Sequence, residues 1–162
     1  KGLKNLSIFD RNKFKINFAK VRKISVKHSR ELDKETNLNK YDWVVEASGD
    51  PESVKKSIEI CKPGGLIILM SNISSEVKIP ANIFSSILRK EITIKGSWNS
   101  SFSHIQKNDW KETIRLFKDG FKPSDFISHR VELKDVPETL KRFHLHKARK
   151  KQFQAVKALI TF

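Results

Sequence analysis

The chain has 162 residues and a hydrophobic content of 38%, which is enough for one good-sized domain with a buried core. No apolar run approaches the ~20 residues that a membrane-spanning helix needs, which argues against a membrane protein. The single cysteine excludes an internal disulfide framework, and no signal peptide is recognisable. We therefore expect a reducing, cytoplasmic location and no membrane partner.

The formal net charge of +15 points to an anionic partner, and one interpretation is a nucleic-acid-binding protein. However, lysine outnumbers arginine by 25 to 8, and the basic residues are spread along the whole chain. A surface that reads phosphates more often clusters its basic residues and favours arginine. An anionic small-molecule substrate or cofactor explains part of the charge more economically, so we expect no specific nucleic-acid partner.

The first predicted elements are a strand, a helix and a second strand. Residues 5–9 are a short strand, residues 11–21 carry apolar side chains at helical spacing, and residues 23–26 are again extended. Asp10 follows the first strand, where it could cap the helix or, in a dinucleotide-binding fold, bind the ribose hydroxyls; the two roles are compatible. The polar residues 28–40 show no regular pattern.

The middle of the chain predicts a strand, a helix and a strand. Residues 43–47 are a short apolar strand, Asp50 is a helix N-cap, and Pro51 occupies the first helical position. Lys62 suits the negative end of this helix, and the Pro-Gly-Gly sequence that follows it stops the helix. Residues 66–70 are apolar at every position, which is typical of an interior parallel strand that is covered on both faces. The pattern predicts a right-handed βαβ unit.

Polar loops follow the second strand of this unit and the next predicted strand. Residues 71–75 lie at the carboxyl end of a parallel strand, where open α/β sheets bind their ligands. Pro80 then begins a helix, residues 91–95 form an edge-type strand, and a Gly/Ser loop covers residues 96–101. For both loops, ligand binding and an ordinary surface role remain alternatives.

The last third of the chain predicts a helix, a strand, a helix and a final strand. Asn108 or Asp109 caps the first helix and Gly120 closes it. The remaining elements are a strand over residues 126–131, a helix capped by Asp135, and a strand over residues 155–161. The apolar stripes predicted for the main helices are Phe14, Phe18 and Val21; Val54, Ile58 and Cys61; Ile83, Phe84, Ile87 and Leu88; and Trp110, Ile114 and Phe117.

Two stretches, YDWVVEASG…SIEICKPGGLIILMSN at residues 41–72 and ILRKEITIKGSWNSSF at residues 87–102, resemble the zinc-dependent medium-chain alcohol and polyol dehydrogenases. The resemblance covers most of the chain and rests on many modest matches. It implies an α/β fold whose Rossmann-type parallel sheet is incomplete, because the first strand and the glycine-rich loop are missing. Residues 1–95 would be a partial dinucleotide-binding domain, and residues 96–162 would return to the catalytic domain.

The resemblance also implies a cofactor, NAD, and a set of residues that bind it. Asp10 and Lys15 would contact the adenosine ribose, and Lys157 would lie near the pyrophosphate, although it could also be a surface lysine. Arg11 keeps NADP possible, because an arginine can accept a ribose 2′-phosphate that an aspartate repels. The residues implied near the nicotinamide are Met70, Ser71, Asn72, Ser97, Trp98 and Asn99.

Two features of the family are absent from the sequence. There is no G-x-G-x-x-G loop, and no set of Cys, His and Glu at a metal-like spacing. The resemblance therefore implies the carboxyl-terminal half of an oxidoreductase, inactive alone, that moves a hydride between a secondary alcohol of a polyol or sugar phosphate and NAD(P). Zinc would act as a Lewis acid in a full-length enzyme, with ligands outside this chain, and that enzyme would be a homo-oligomer. The alternative is a stand-alone basic α/β module that binds nucleotides or nucleic acid.

A complete dinucleotide-binding sheet has the strand order 3-2-1-4-5-6. The strands of residues 5–9 and 43–47 would then be the second and fourth, separated by ~10 Å where the first strand belongs. The alternative is that these two strands pair directly in parallel.

Overall fold

The computed structural model describes residues 5–98, 100, 108–147 and 154–162. Two compact units share the chain: a central unit, Ser29–Ser101, and a terminal unit, Lys1–His28 with Phe102–Phe162. In chain order, the helices and strands are β1 (Ile8–Asp10), α1 (Lys13–Val21), β2 (Val26–His28), β3 (Tyr41–Glu46), α2 (Pro51–Ile60), β4 (Cys61–Leu69), α3 (Ala81–Arg89), β5 (Thr93–Gly96), α4 (Asp109–Lys118), β6 (His129–Glu132), α5 (Val136–Lys147) and β7 (Ala158–Thr161).

All strand pairs among the described residues are parallel, and they fall into three sheets. The terminal unit contains the pairs β1–β2 and β6–β7, and the central unit contains β3-β4-β5 with β4 in the middle. These pairings match the two ends, 3-2 and 4-5-6, of the Rossmann order. Direct pairing of β1 with β3 was the alternative, and it is wrong for the described residues, where β1 pairs with β2 and β3 with β4. The ~10 Å spacing between them stays a prediction.

The core of the central unit lies on the face of the sheet that carries α2 and α3. It consists of Val44, Ile58, Ile60, Cys61, Ile67 and Ile92, with Ile83 and Ile87 of α3 packed against them. The interior position of β4 is confirmed, but the expected cover on both faces is wrong for this unit. On the face opposite Val44 and Ile67, Leu66 and Ile68 are half-buried and their neighbours Trp43 and Val45 are exposed, because both helices lie on one side.

The amino end of α2 forms as predicted, but its carboxyl end does not. Asp50 caps the helix by accepting the amide of Glu52, and Pro51 is its first residue. The helix ends at Ile60, before the Pro-Gly-Gly sequence, which lies inside β4. Residues outside the helix satisfy this terminus. The ammonium of Lys90 donates to the carbonyls of Ile58 at 2.9 Å and of Glu59 and Cys61 at 3.2 Å, and the amide of Lys40 donates to the carbonyl of Ile60 at 2.8 Å.

Lys62 directly follows Cys61, the cap residue of α2. It lies in β4, and its ammonium bonds the carboxylate of Asp42 at 2.8 Å. That hydrogen bond, opposed by partial desolvation, holds the pKa of Asp42 below its usual value.

The polar stretch predicted to lack regular structure contains two short 3₁₀ turns, Ser29–Asp33 and Glu35–Asn37. Asn37 is buried, donates to the Glu31 carbonyl, and accepts from the ammonium of Lys40 at 3.1 Å. These contacts order a segment that has no hydrophobic periodicity to reveal it.

Several predicted helix stripes are only partly buried. In α1, Ile16 is buried instead of Val21, which is 82% exposed. Only half of the predicted α3 stripe is covered: Ile83 and Ile87 pack on the core, whereas Phe84 and Leu88 are exposed. The α4 stripe is exposed along its length at Trp110, Ile114 and Phe117. Asn108, not Asp109, caps α4, and Gly120 follows its end with φ of +91°.

In the described part of the chain, no helix has both the length and the apolar composition needed to cross a bilayer.

Candidate cofactor-binding site

The three strands of the central unit end level with one another at their carboxyl ends. Glu46 of β3 pairs with Leu69 of β4, which pairs with Gly96 of β5. The chain leaves the sheet after each of these residues, so residues 47–50, 70–74 and 97–98 emerge along the same edge. We name these segments the first, second and third edge loops. Parallel strands of open α/β sheets bind ligands at this edge.

Backbone hydrogen bonds join the edge loops to neighbouring strands and to each other. The Met70 amide donates to the Glu46 carbonyl at 2.9 Å, and the Ser97 amide donates to the Leu69 carbonyl at 2.9 Å. The Ser74 amide donates to the Gly49 carbonyl, also at 2.9 Å. One end of the second edge loop is therefore hydrogen-bonded to the last residue of β3, and the other end to the first edge loop.

The structure brings together most of the residues implied near the nicotinamide. Met70, Ser71 and Asn72 lie in the second edge loop, with the Met70 side chain 53% exposed. Ser97 and Trp98 form the third edge loop, and Trp98 is 70% exposed, so it is not a packing anchor within this unit. Asn99 lies outside the described residues, as does Ser101 of the predicted Gly/Ser loop.

Glu46 is a functional candidate that the sequence reasoning missed. The residue is only 4% exposed, and its carboxylate accepts hydrogen bonds from the first edge loop. Oε1 accepts the Ser48 amide at 2.8 Å, the Ser48 hydroxyl at 2.5 Å and the Gly49 amide at 3.2 Å. The available signal was a charged residue at the end of an apolar strand, followed by the sequence Ala-Ser-Gly.

Gly49 is the second missed residue, and it touches the second edge loop directly. It has φ of +69°, which favours glycine. A Cβ at this position would lie 2.1 Å from the carbonyl oxygen of Asn72 and 3.4 Å from the Cβ of Ser71. Both the backbone conformation and the space therefore require glycine.

The residues implied near the ribose lie at the end of β1 in the terminal unit. Asp10 is the last strand residue and is half-buried, and its Oδ1 accepts the Asn12 amide at 2.7 Å. The helix-cap role considered for Asp10 is wrong: Asn12 caps α1 by accepting the amides of Phe14 and Lys15. The carboxylate is thus held at the strand end by a turn that precedes the helix. Arg11 is exposed and Lys15 is half-buried in the first helical turn.

Lys157 precedes β7, and its backbone is fixed by Ser128. The Lys157 carbonyl accepts the Ser128 amide at 2.9 Å, and its own amide donates to the Ser128 hydroxyl at 3.1 Å. The side chain is exposed beside a cavity of about 340 Å³ in the terminal unit. Its apolar lining residues include Val131, Val136, Leu140, Phe143 and Ile160.

The described residues do not fit a zinc ion. No group of three or more His, Cys, Asp or Glu side chains among them could hold a metal. Cys61 is fully buried, and desolvation raises the pKa of its thiol, whereas a zinc ligand must be a thiolate.

Residues 8–119 match the family described as zinc-binding dehydrogenase, and the chain belongs to that family. A D-xylulose reductase of Scheffersomyces stipitis is 30% identical over 119 residues, which are 68% of this chain and 31% of the relative. The galactitol 1-phosphate 5-dehydrogenase of Escherichia coli K12 is 28% identical over 88 residues, 54% of this chain and 25% of the relative.

The fold is also shared with solved structures. The crystal structure of a short chain alcohol dehydrogenase from Escherichia coli CFT073, complexed with the cofactor NADH, superposes with a TM-score of 0.73 at 22% identity. The superposition covers 98% of this chain and 45% of that chain. The resemblance and the Rossmann-type α/β fold predicted from the sequence are thus confirmed. The chain spans a quarter to a third of the length of the two relatives.

Proposed function

We propose that this chain is the carboxyl-terminal part of a zinc- and NAD(P)-dependent dehydrogenase and supplies half of its dinucleotide site. The observation that carries the proposal is the level ending of β3, β4 and β5, which puts three loops on the ligand-binding edge of a parallel sheet. Family membership and the partial coverage of the relatives support it.

The proposed substrate is a secondary alcohol of a polyol or a sugar phosphate. Both relatives carry names of this substrate class, D-xylulose reductase and galactitol 1-phosphate 5-dehydrogenase. The net charge of +15 favours an anionic substrate, because long-range attraction raises its local concentration. The rest of the enzyme would provide the zinc site, so this chain alone would be inactive, and the full enzyme would be a homo-oligomer.

Each candidate residue has a defined task in this proposal. Asp10 accepts hydrogen bonds from the ribose hydroxyls, Lys15 supports the same ribose, and Lys157 attracts the pyrophosphate. The exposed Met70 side chain offers an apolar surface to the nicotinamide ring. Polar atoms of Ser71, Asn72, Ser97, Trp98 and Asn99 orient the carboxamide. The bound cofactor itself supplies the hydride chemistry.

The electrostatics at the end of β1 favour NAD over NADP. The carboxylate of Asp10 would repel a ribose 2′-phosphate, since like charges in contact disfavour each other. Arg11 keeps NADP as the alternative cofactor. In the same proposal, residues 1–95 belong to the dinucleotide-binding domain and residues 96–162 return to the catalytic domain.

Equilibrium binding of NADH and NADPH to the longest natural protein that contains this chain tests the proposal. We expect Asp10→Ala to weaken NADH binding by about 10- to 100-fold, the effect of losing one or two hydrogen bonds to a charged group. NADPH binding should fall much less. Asp125→Ala changes an exposed aspartate in the terminal unit and is the matched control.

Equal losses of NADH and NADPH affinity in Asp10→Ala would show that Asp10 does not distinguish the ribose of NADH from the 2′-phosphorylated ribose of NADPH. Absence of binding by the unsubstituted protein would overturn the proposed function.

The high charge favours one second candidate, a basic module that binds nucleic acid. Such binding would weaken steeply with salt, because it is driven by counterion release. A selective DNA or RNA complex that persists at physiological salt would favour this function over the dehydrogenase.

A further inference from the structure

We propose that Glu46 and Gly49 are positioning residues that fix the second edge loop, residues 70–74. The inference that these two residues set the position of the loop concerns this chain alone. Its consequence for the cofactor rests on the proposed function, in which the second edge loop contacts the nicotinamide.

The first step is the closure of the first edge loop around Glu46. A buried carboxylate is costly unless donors satisfy it. Here the donors are the Ser48 amide, the Ser48 hydroxyl and the Gly49 amide, which all come from the three residues after the strand. The Ser48 hydroxyl also accepts the Asp50 amide at 3.2 Å. The side chain of the last strand residue therefore sets the path of the backbone into α2.

The second step is the contact between Gly49 and the second edge loop. The Gly49 carbonyl accepts the Ser74 amide at 2.9 Å, and its Cα faces the Asn72 carbonyl so closely that a Cβ would lie 2.1 Å from that oxygen. The position of Gly49 thus decides where residues 72 and 74 lie.

The third step is that the two ends of the second edge loop have a common support. Met70 is bonded to the Glu46 backbone and Ser74 to the Gly49 backbone. Only three residues separate these fixed points, which leaves the loop little freedom. Displacing Gly49 therefore displaces Ser71 and Asn72, two of the residues proposed to orient the carboxamide.

Two glycines of the central unit provide a matched test. Gly49 and Gly64 have nearly the same backbone conformation, with φ of +69° and +70°. A Cβ on Gly64 meets nothing within 4 Å, whereas a Cβ on Gly49 meets the Asn72 carbonyl. Gly49→Ala and Gly64→Ala therefore carry the same left-handed strain and differ in the contact with the second edge loop.

The measurement is amide hydrogen exchange of Ser74 in this chain. We expect exchange of the Ser74 amide to be faster in Gly49→Ala than in Gly64→Ala by about tenfold, the effect of losing one hydrogen bond. Equal exchange rates in the two variants would overturn the inference.

Glu46→Gln provides an independent test if Gly49→Ala does not fold. The glutamine keeps the size of the side chain and can keep its oxygen on the Ser48 donors, but its NH₂ group then faces the Gly49 amide that Oε2 accepts in the carboxylate. We expect faster exchange at Ser74 in this variant and no change in Glu52→Gln, whose side chain is 73% exposed at the start of α2. Exchange that is faster only at Ser48, Gly49 and the first turn of α2, and unchanged at Ser74, would show that Glu46 orders the first edge loop alone. That result would overturn the inference.

NADH binding to the longest natural protein that contains this chain then tests the consequence for the cofactor. Gly49→Ala should weaken binding and Gly64→Ala should not. Faster exchange at Ser74 with unchanged NADH affinity would overturn the assignment of the loop to the nicotinamide. If the unsubstituted protein does not bind NADH, the proposed function fails, whereas the exchange result still decides the positioning.

Discussion

The central and terminal units differ in how completely they bury their apolar residues. The central unit has one contiguous core, with Ile58, Cys61 and Ile67 no more than 1% exposed. The buried apolar residues of the terminal unit, among those described, are Ile16, Val26 and Ala155. Its exposed large apolar residues include Val21, Trp110, Ile114, Phe117, Leu140 and Phe162. The comparison shows that the central unit has a core of its own, whereas the described residues of the terminal unit bury few apolar side chains and leave the stripe of α4 exposed.

Identical substitutions in the two units give the largest expected effect. Ile58→Ala or Ile67→Ala should lower the free energy of unfolding by about 2–5 kcal/mol, because each opens a cavity in a packed core. Ile114→Ala, at a position that is 53% exposed, should change it by less than about 1 kcal/mol. Urea denaturation followed by circular dichroism measures both. Equal losses of unfolding free energy in the core variants and in Ile114→Ala would contradict the difference between the two units.

A smaller effect is expected from the lysine that closes α2 in the central unit. Lys90→Met removes the side-chain donor of three carbonyls, of which that of Glu59 keeps a backbone donor, the Asn39 amide, and should cost about 1–3 kcal/mol. Lys95→Met, an exposed position on β5, is the control. Desolvation lowers the pKa of Lys90 below its ordinary 10.5, so the unfolded chain binds more protons just below that pH. The stability advantage of the unsubstituted chain over Lys90→Met should therefore rise as the pH approaches 10.5.

The contribution of Lys56 to the free energy of unfolding should depend on pH in the opposite direction and should be smaller. Burial acts to lower its pKa, but the carboxylates of Glu59 at 2.6 Å and Asp33 at 3.5 Å outweigh it and raise the pKa above 10.5. The folded chain then holds this proton more tightly, so the contribution is present below 10.5 and is lost as the pH rises through the raised pKa. Lys56→Met should cost about 1 kcal/mol or less at neutral pH. A stability advantage over this variant that grows at alkaline pH would contradict the assignment.

The sequence predicted features that depend on neighbouring residues. Asp50 and Pro51 start α2, and Asn108 caps α4, because both signals act within one turn of helix. The interior position of β4 was also predicted, because a strand that is apolar at every position is typical of the middle of a parallel sheet, although only one face of this strand is fully buried.

The features that could not be predicted depend on residues distant in sequence or on precise distances. Lys90 ends α2 from about thirty residues away, so the helix stops earlier than its Pro-Gly-Gly sequence suggested. The importance of Gly49 lies in its distance to the Asn72 carbonyl, which no local pattern encodes. Periodicity likewise identified the apolar stripes of α3 and α4 without indicating how much of each this chain would cover.

The central claim is that the edge loops of the central unit bind a dinucleotide cofactor. Hydrogen exchange of the longest natural protein that contains this chain, with and without NADH, tests it most directly. We predict that NADH slows exchange in residues 10–15, 70–74 and 97–98, and leaves the α5 amides unchanged. NADH binding without slower exchange in residues 70–74, or with protection confined to segments outside these loops, would contradict the account.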